Sequence, residues 1–212
     1  MASITDADVR AIRDRPLRSL DGADLSKYAA RALNTWGDQD EFRYYLPRLL
    51  ELLVRQPGWT DEATLIQKLE SANWRSWPEI EQRAIEAFLR ALWMALLSGE
   101  VTHPPMAALV QGVAGAGIPV QPIIDAWTST AGYDAALQLA DLITLSRREL
   151  LKDGALGSRW PADARAALLR GESARAKIGD AFFHARNRDD ETLLSAALEV
   201  LEAIAVGSHA IR

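Results

Sequence analysis

Residues 74–97 read WRSWPEIEQRAIEAFLRALWMALL, and this stretch decides the fold. Ser76 and Glu79 stand three apart with Pro78 between them, a capping-box arrangement that predicts a helix from Trp77 to about Ser98. Glu79, Gln82, Arg83, Glu86 and Arg90 recur at steps of three and four and make one polar stripe. Ile85, Phe88, Leu89, Leu92 and Leu96 fill the opposite side. Past Arg90 the run ALWMALL is apolar all round, so this helix is expected to leave the surface and enter a core.

The same punctuation recurs outward in both directions. Thr5 with Asp8 opens a short helix ending before Pro16. Asp24 is expected to cap a second, Leu25 to about Trp36, which Gly37 stops. Asp38 with Glu41 starts a third that carries Phe42, Tyr45, Leu46, Leu49, Leu50, Leu52 and Leu53 and ends near Gln56-Pro57-Gly58. Pro47 inside it predicts a kink or a division, because proline has no N–H to give the helix. Thr60 begins a fourth, closed by Asn73. Beyond the central helix, Thr102 and Pro104-Pro105 start a sixth through Val113, and Pro119 starts a seventh to about Trp127. An eighth is expected over Ala131–Lys152, a ninth from Trp160 to Gly171, a tenth over Glu172–Ala185 weakened at Gly179, and a last from Asp189 or Asp190.

No run of alternating β-branched residues interrupts this pattern. The sequence therefore predicts an all-α fold, either an irregular multi-helix bundle or a short HEAT-like α-solenoid of antiparallel helix pairs. Trp77-Pro78 has an echo in Trp160-Pro161, the spacing of a possible repeat. We expect one helical domain over 1–212, with possible sub-units 1–100 and 101–212.

The totals bound the function. With 212 residues, 49% hydrophobic and 25% charged, the chain can bury a substantial core and is not disordered as a whole. A net charge of −5 argues against general attraction to nucleic acid or anionic membrane. With no cysteine there is no disulfide, thiolate nucleophile or cysteine-bound metal. MASITDADVRAIRDR lacks the apolar core of a signal peptide. The charge-free run Val101 to Ile124 is interrupted by four prolines, three glycines and two glutamines and does not read as a membrane span. The expectation is a cytoplasmic protein.

The segment WGDQDEFRYYLPRLLELL, with WRSWPEIEQRAIEAFLRALW, resembles a group of uncharacterised bacterial proteins that share the Trp-Gly-Asp and Trp-Pro-Glu pattern. The resemblance covers about the first hundred residues and implies no activity.

Catalysis finds little to build on. His103, His184 and His209 lie in different segments, and no serine stands in a G-x-S-x-G elbow. Asp180 and His184 share a helix face near Asp189 and Asp190, but a metal needs three or four convergent ligands. Asp38, Asp40 and Glu41 read as first-turn acids that favour the helix dipole. The run Gly112 to Gly117 ends in Ile118-Pro119, where a phosphate loop needs Lys and Ser or Thr, and reads as a break between helices. No catalytic, cofactor-binding or metal-binding residue is assigned, and an enzyme is the less favoured reading.

Two surfaces remain as candidates. Tryptophan, tyrosine and arginine dominate binding hot spots, and here they cluster near helix starts. Trp36, Asp38, Arg43, Tyr44, Trp74, Arg75 and Trp77 are therefore expected to form an interaction groove for a protein or peptide partner. Residues 147–188 hold ten Lys or Arg against five acids. Arg159, Arg165, Arg170, Arg175, Lys177, Arg186 and Arg188 could present a basic face to an acidic partner or nucleic acid. A pocket for a small molecule or substrate inside the helical bundle is the other alternative.

Overall fold

The computed structural model describes residues 4–102, 104–147 and 172–209. Among them there are ten α-helices and two short 3-10 turns, and no strand beyond a single bridge between Ala32 and Trp36. The all-α expectation holds, and helix-against-helix packing makes it a multi-helix bundle. The described residues divide into two compact units, Met1–Phe88 with His103–Ile118 and Leu89–Thr102 with Pro119–Arg212.

The first unit is built from α1 (Asp6–Arg13), α2 (Gly22–Arg31), α3 (Gln39–Arg55), α4 (Glu62–Ser71), the start of α5 (Glu79–Leu97), and α6 (Met106–Gly115). Thr5 caps α1 in a reciprocal box with Asp8, as the sequence predicts. The second helix starts earlier than expected. Asp21 is its cap, and Asp24 is the residue that bonds back to the Asp21 N–H. It also ends earlier, at Arg31, and Leu33 takes up a left-handed turn at φ 66°. Asp38 caps α3 by accepting from the Glu41 N–H at 2.9 Å, while the Glu41 carboxylate turns to Arg13 instead. The third helix is not divided at Pro47. It runs unbroken from Gln39 to Arg55, its apolar side fixed by buried Phe42, Leu49, Leu52 and Leu53.

The capping box expected at Ser76 is absent. Ser76 belongs to a 3-10 turn, Trp74–Ser76, and its hydroxyl donates back to the Asn73 carbonyl. Asn73 is left-handed (φ 50°), Trp77 is extended, and the helix begins at Glu79. Its apolar end is not wholly enclosed either: Leu92, Trp93, Leu96 and Leu97 are buried, but Met94 is 48% exposed.

The closest helix pair of the first unit is α4 with α6, and two glycines of the 112–117 run explain it. A methyl group on Gly112 would lie 2.7 Å from the Ile66 Cβ, and one on Gly115 would lie 2.2 Å from the Gln67 Cγ. Without side chains at these positions the two backbones approach, burying Ile66, Leu69, Leu109 and Val113. Each such side chain contributes about 1.5–3 kcal/mol by leaving water.

The second unit holds the rest of α5 with α7 (Gln121–Ser129), α8 (Tyr133–Leu145), α9 (Glu172–Phe183) and α10 (Arg188–His209). Trp93 and Trp127 meet edge to face at 5.1 Å in its core, and the Trp127 indole donates to the Ala135 carbonyl at 3.0 Å. The eighth helix ends at Leu145 with Ser146 as its cap. The ninth expected helix and the Trp160 echo lie outside the described residues. Gly179 does not interrupt α9.

Candidate functional site

A groove of about 700 Å³ opens on the first unit between α3 and the start of α5. From α3 come Asp40, Arg43, Tyr44, Leu46, Pro47 and Leu50, spaced at three and four so that they share one face. From the other side come Trp77, Glu81, Ala84, Ile85 and Phe88. The floor is apolar and buried (Leu46, Leu50, Ile85), while Tyr44 stands 58% exposed on the wall.

Polar groups sit at one end. Arg43 donates through Nε to Glu81 Oε2 at 2.5 Å and through Nη2 to Oε1, so the two helix starts are tied by a two-point fork. That bond holds the guanidinium more firmly charged than usual. The same guanidinium lies 5.8 Å from the Trp77 ring centre. Pro47 has no N–H, so the Arg43 carbonyl receives no bond from the residue four places on, and both residues line the groove.

Of the seven residues expected to form the interaction surface, Arg43, Tyr44 and Trp77 come together here. Trp77 is only 8% exposed, so little of its indole is open to a partner. Trp74 and Trp36 do not belong to an open surface. Trp74 is fully enclosed, its indole N–H donating to Ala116 at 2.9 Å, with the Arg75 guanidinium 4.0 Å above its ring. Arg75 pairs with Glu86 at 2.7 Å. Trp36 packs edge-on against buried Tyr28 at 5.5 Å. Asp38 is the cap of α3. Burial and the nearby Glu41 push the Tyr45 hydroxyl above its ordinary value.

Pro47, Ala84 and Phe88 were absent from the expected surface. Pro47 is legible in the sequence as a proline inside an apolar helical run, which leaves the Arg43 carbonyl without its usual donor. Glu81 is not legible there, because its partner lies thirty-eight residues away.

In the described part of the basic segment, three of the seven basic residues have local partners. Lys177 is turned inward, donating to the carbonyls of Trp127 (2.7 Å) and Thr130 at the end of α7, and burial lowers its pKa. Arg175 pairs with Glu202 at 2.6 Å. Arg186 pairs with Asp134 at 3.4 Å and stacks 4.2 Å over Tyr133. The two arginines are thus offset by carboxylates, while Lys177 is held by backbone carbonyls. Arg188 begins α10, and Arg159, Arg165 and Arg170 lie outside the described residues. Lys177, Asp180, His184, Thr128, Ser129 and Thr130 line a polar cleft of about 420 Å³, the three hydroxyls donating to carbonyls of α7. Asp180 and His184 are both largely exposed, and no group of three metal-ligating side chains occurs among the described residues. No described helix is long and apolar enough to cross a membrane.

Set beside models of known families, curated proteins and solved structures, the chain matches none of them.

Proposed function

We propose that the protein is a non-enzymatic interaction module whose α3–α5 groove receives the apolar face of a partner's amphipathic helix. The observation that carries this reading is the groove itself: apolar walls over two helical turns on each side, with an exposed Tyr44 and a fixed Arg43–Glu81 fork closing one end. A partner helix anchors such a groove with side chains at i, i+3 or i+4, and i+7. The fork is charge-balanced, which leaves exposed Asp40 to set the sign of the rim. The partner is therefore a helix with a basic residue beside its apolar stripe.

Selection of a displayed library of random helical peptides tests this. The expected winners carry that apolar spacing with a Lys or Arg at one end, and they lose binding to Ala84→Arg, which fills the groove from an exposed position. Equal binding to Ala84→Arg and wild type, with helical circular dichroism unchanged, overturns the reading.

A second reading rests on the polar cleft of the second unit, lined by Lys177, Asp180 and His184 beside Thr128, Ser129 and Thr130, whose hydroxyls donate to carbonyls of their own helix and keep lone pairs free to accept. It supports a small polar ligand in the helical bundle. A thermal-shift screen against polar metabolites would show a stabilisation that Ser129→Ala reduces; no stabilisation by any of them removes this reading.

A further inference from the structure

Next to the groove-lining face of α3, Arg48, Glu51 and Arg55 stand at i, i+3 and i+7, so their side chains leave the helix on one side. The 3-10 turn Leu17–Ser19 lies against them and adds Arg18. These four side chains line a separate cavity of about 370 Å³.

Its charges do not balance. Arg48 Nη1 donates to Glu51 Oε2 at 2.7 Å and Arg55 Nη1 reaches Oε1 at 3.0 Å, so each carboxylate oxygen serves a different arginine. Arg18 makes no side-chain hydrogen bond or ion pair among the described residues, yet it is close enough to act on the Glu51 charge. Three guanidiniums therefore surround one carboxylate, a local surplus of two positive charges on a chain whose total is −5. Glu51 stays ionised, its pKa lowered first by the Arg48 bond.

The site is also built, not merely crowded. The Arg48 side chain is only 14% exposed, and its Nε donates to the Leu20 carbonyl at 2.7 Å. With Nε and Nη1 anchored, the planar group is fixed, and Nη2 has no partner among the described residues. A fixed guanidinium fork matches the oxygens of a phosphoryl group better than a mobile ammonium does. A dianion would cancel the surplus of two, and the volume suits a small ligand.

We propose that Arg18, Arg48 and Arg55 bind the dianionic phosphoryl group of a small soluble phosphate compound, with Glu51 holding Arg48 and Arg55 in place until it arrives. This proposal is independent of the groove: it uses other side chains of α3 and another ligand class.

Calorimetric titration of the full chain at low ionic strength with inorganic phosphate, pyrophosphate and succinate tests it. Wild type should bind phosphate and pyrophosphate saturably and succinate at least ~10-fold more weakly, since a planar carboxylate uses fewer of the three forks. Arg18→Gln with Arg55→Gln should weaken phosphate binding by at least ~10-fold. Both side chains are exposed, so the helical signal and melting temperature should hold. Arg83→Gln, which removes an exposed arginine elsewhere, should change nothing. Absence of saturable binding, succinate equal to phosphate, weakening in Arg83→Gln as large as in the double variant, or a double variant indistinguishable from wild type would each overturn the proposal.

Discussion

The indole N–H of Trp74 donates to the carbonyl oxygen of Ala116 across forty-two residues of sequence, inside a side chain with no exposed surface. That bond fastens the 3-10 turn before α5 to the end of α6, whose Gly112 and Gly115 let it lie against α4. Trp74→Ala is expected to cost about 3–5 kcal/mol, the range for large aromatic truncations in cores. Chemical denaturation followed by circular dichroism measures it; a cost under ~1 kcal/mol would remove Trp74 from the core.

Two glycines should respond with opposite signs to the same substitution. Gly112→Ala puts a methyl 2.7 Å from the Cβ of fully buried Ile66 and should cost about 1–3 kcal/mol, because neither backbone can give way. Gly179→Ala has nothing described within 4 Å and lies inside α9, so it should gain roughly 0.5–1 kcal/mol. Melting temperatures of the two variants decide the matter together.

Acid should loosen the contact between α1 and α2. Asp8 is held at about 2, against an ordinary 3.8, chiefly by its hydrogen bond from Lys27 and then by the Thr5 N–H. Because the folded value is the lower one, the stabilisation is full above 3.8 and disappears as pH falls toward 2. Asp8→Asn lacks it at every pH. The difference in melting temperature between wild type and Asp8→Asn should be constant near neutrality, shrink below 3.8 and vanish as pH falls through about 2. A difference that persists there would mean the contact does not depend on the charge.

The Arg43–Glu81 fork is half exposed on both partners, so its worth to folding should be small. Arg43→Gln, Glu81→Gln and the double variant, compared in a thermodynamic cycle, should give a coupling of roughly 0.2–1 kcal/mol. A coupling several times larger would mark the pair as a structural pin and not a rim contact.

Much of the fold was legible because helix signals are local. Thr5 with Asp8, Asp38 with Glu41, and the left-handed Asn73 all mark real helix ends. Where a local signal misled, a competing partner explains it. Ser76 looks like a cap, but its hydroxyl is taken by Asn73, and Asp24 serves a cap that stands three residues before it. The site was less legible because its geometry comes from distant pairings. Nothing near Trp74 announces that it will be enclosed by α6, and nothing near Lys177 announces that it will turn into α7. Arg43, Tyr44 and Trp77, chosen from residue type alone, stand together on the groove; Glu81 and Phe88 needed the fold.

Lys68 and Lys177 both point into the protein, the first donating to the Ala32 carbonyl at 2.7 Å from a side chain 5% exposed, the second closing the end of α7. The chain has only four lysines, and these two belong one to each compact unit. An amine-selective reagent should therefore mark Lys27 at once, reach half-buried Lys177 through its cleft more slowly, and reach Lys68 only when the surrounding helices part. Timed acylation read residue by residue then becomes a clock for the opening of the first unit, with Lys177 reporting access to the cleft of the second.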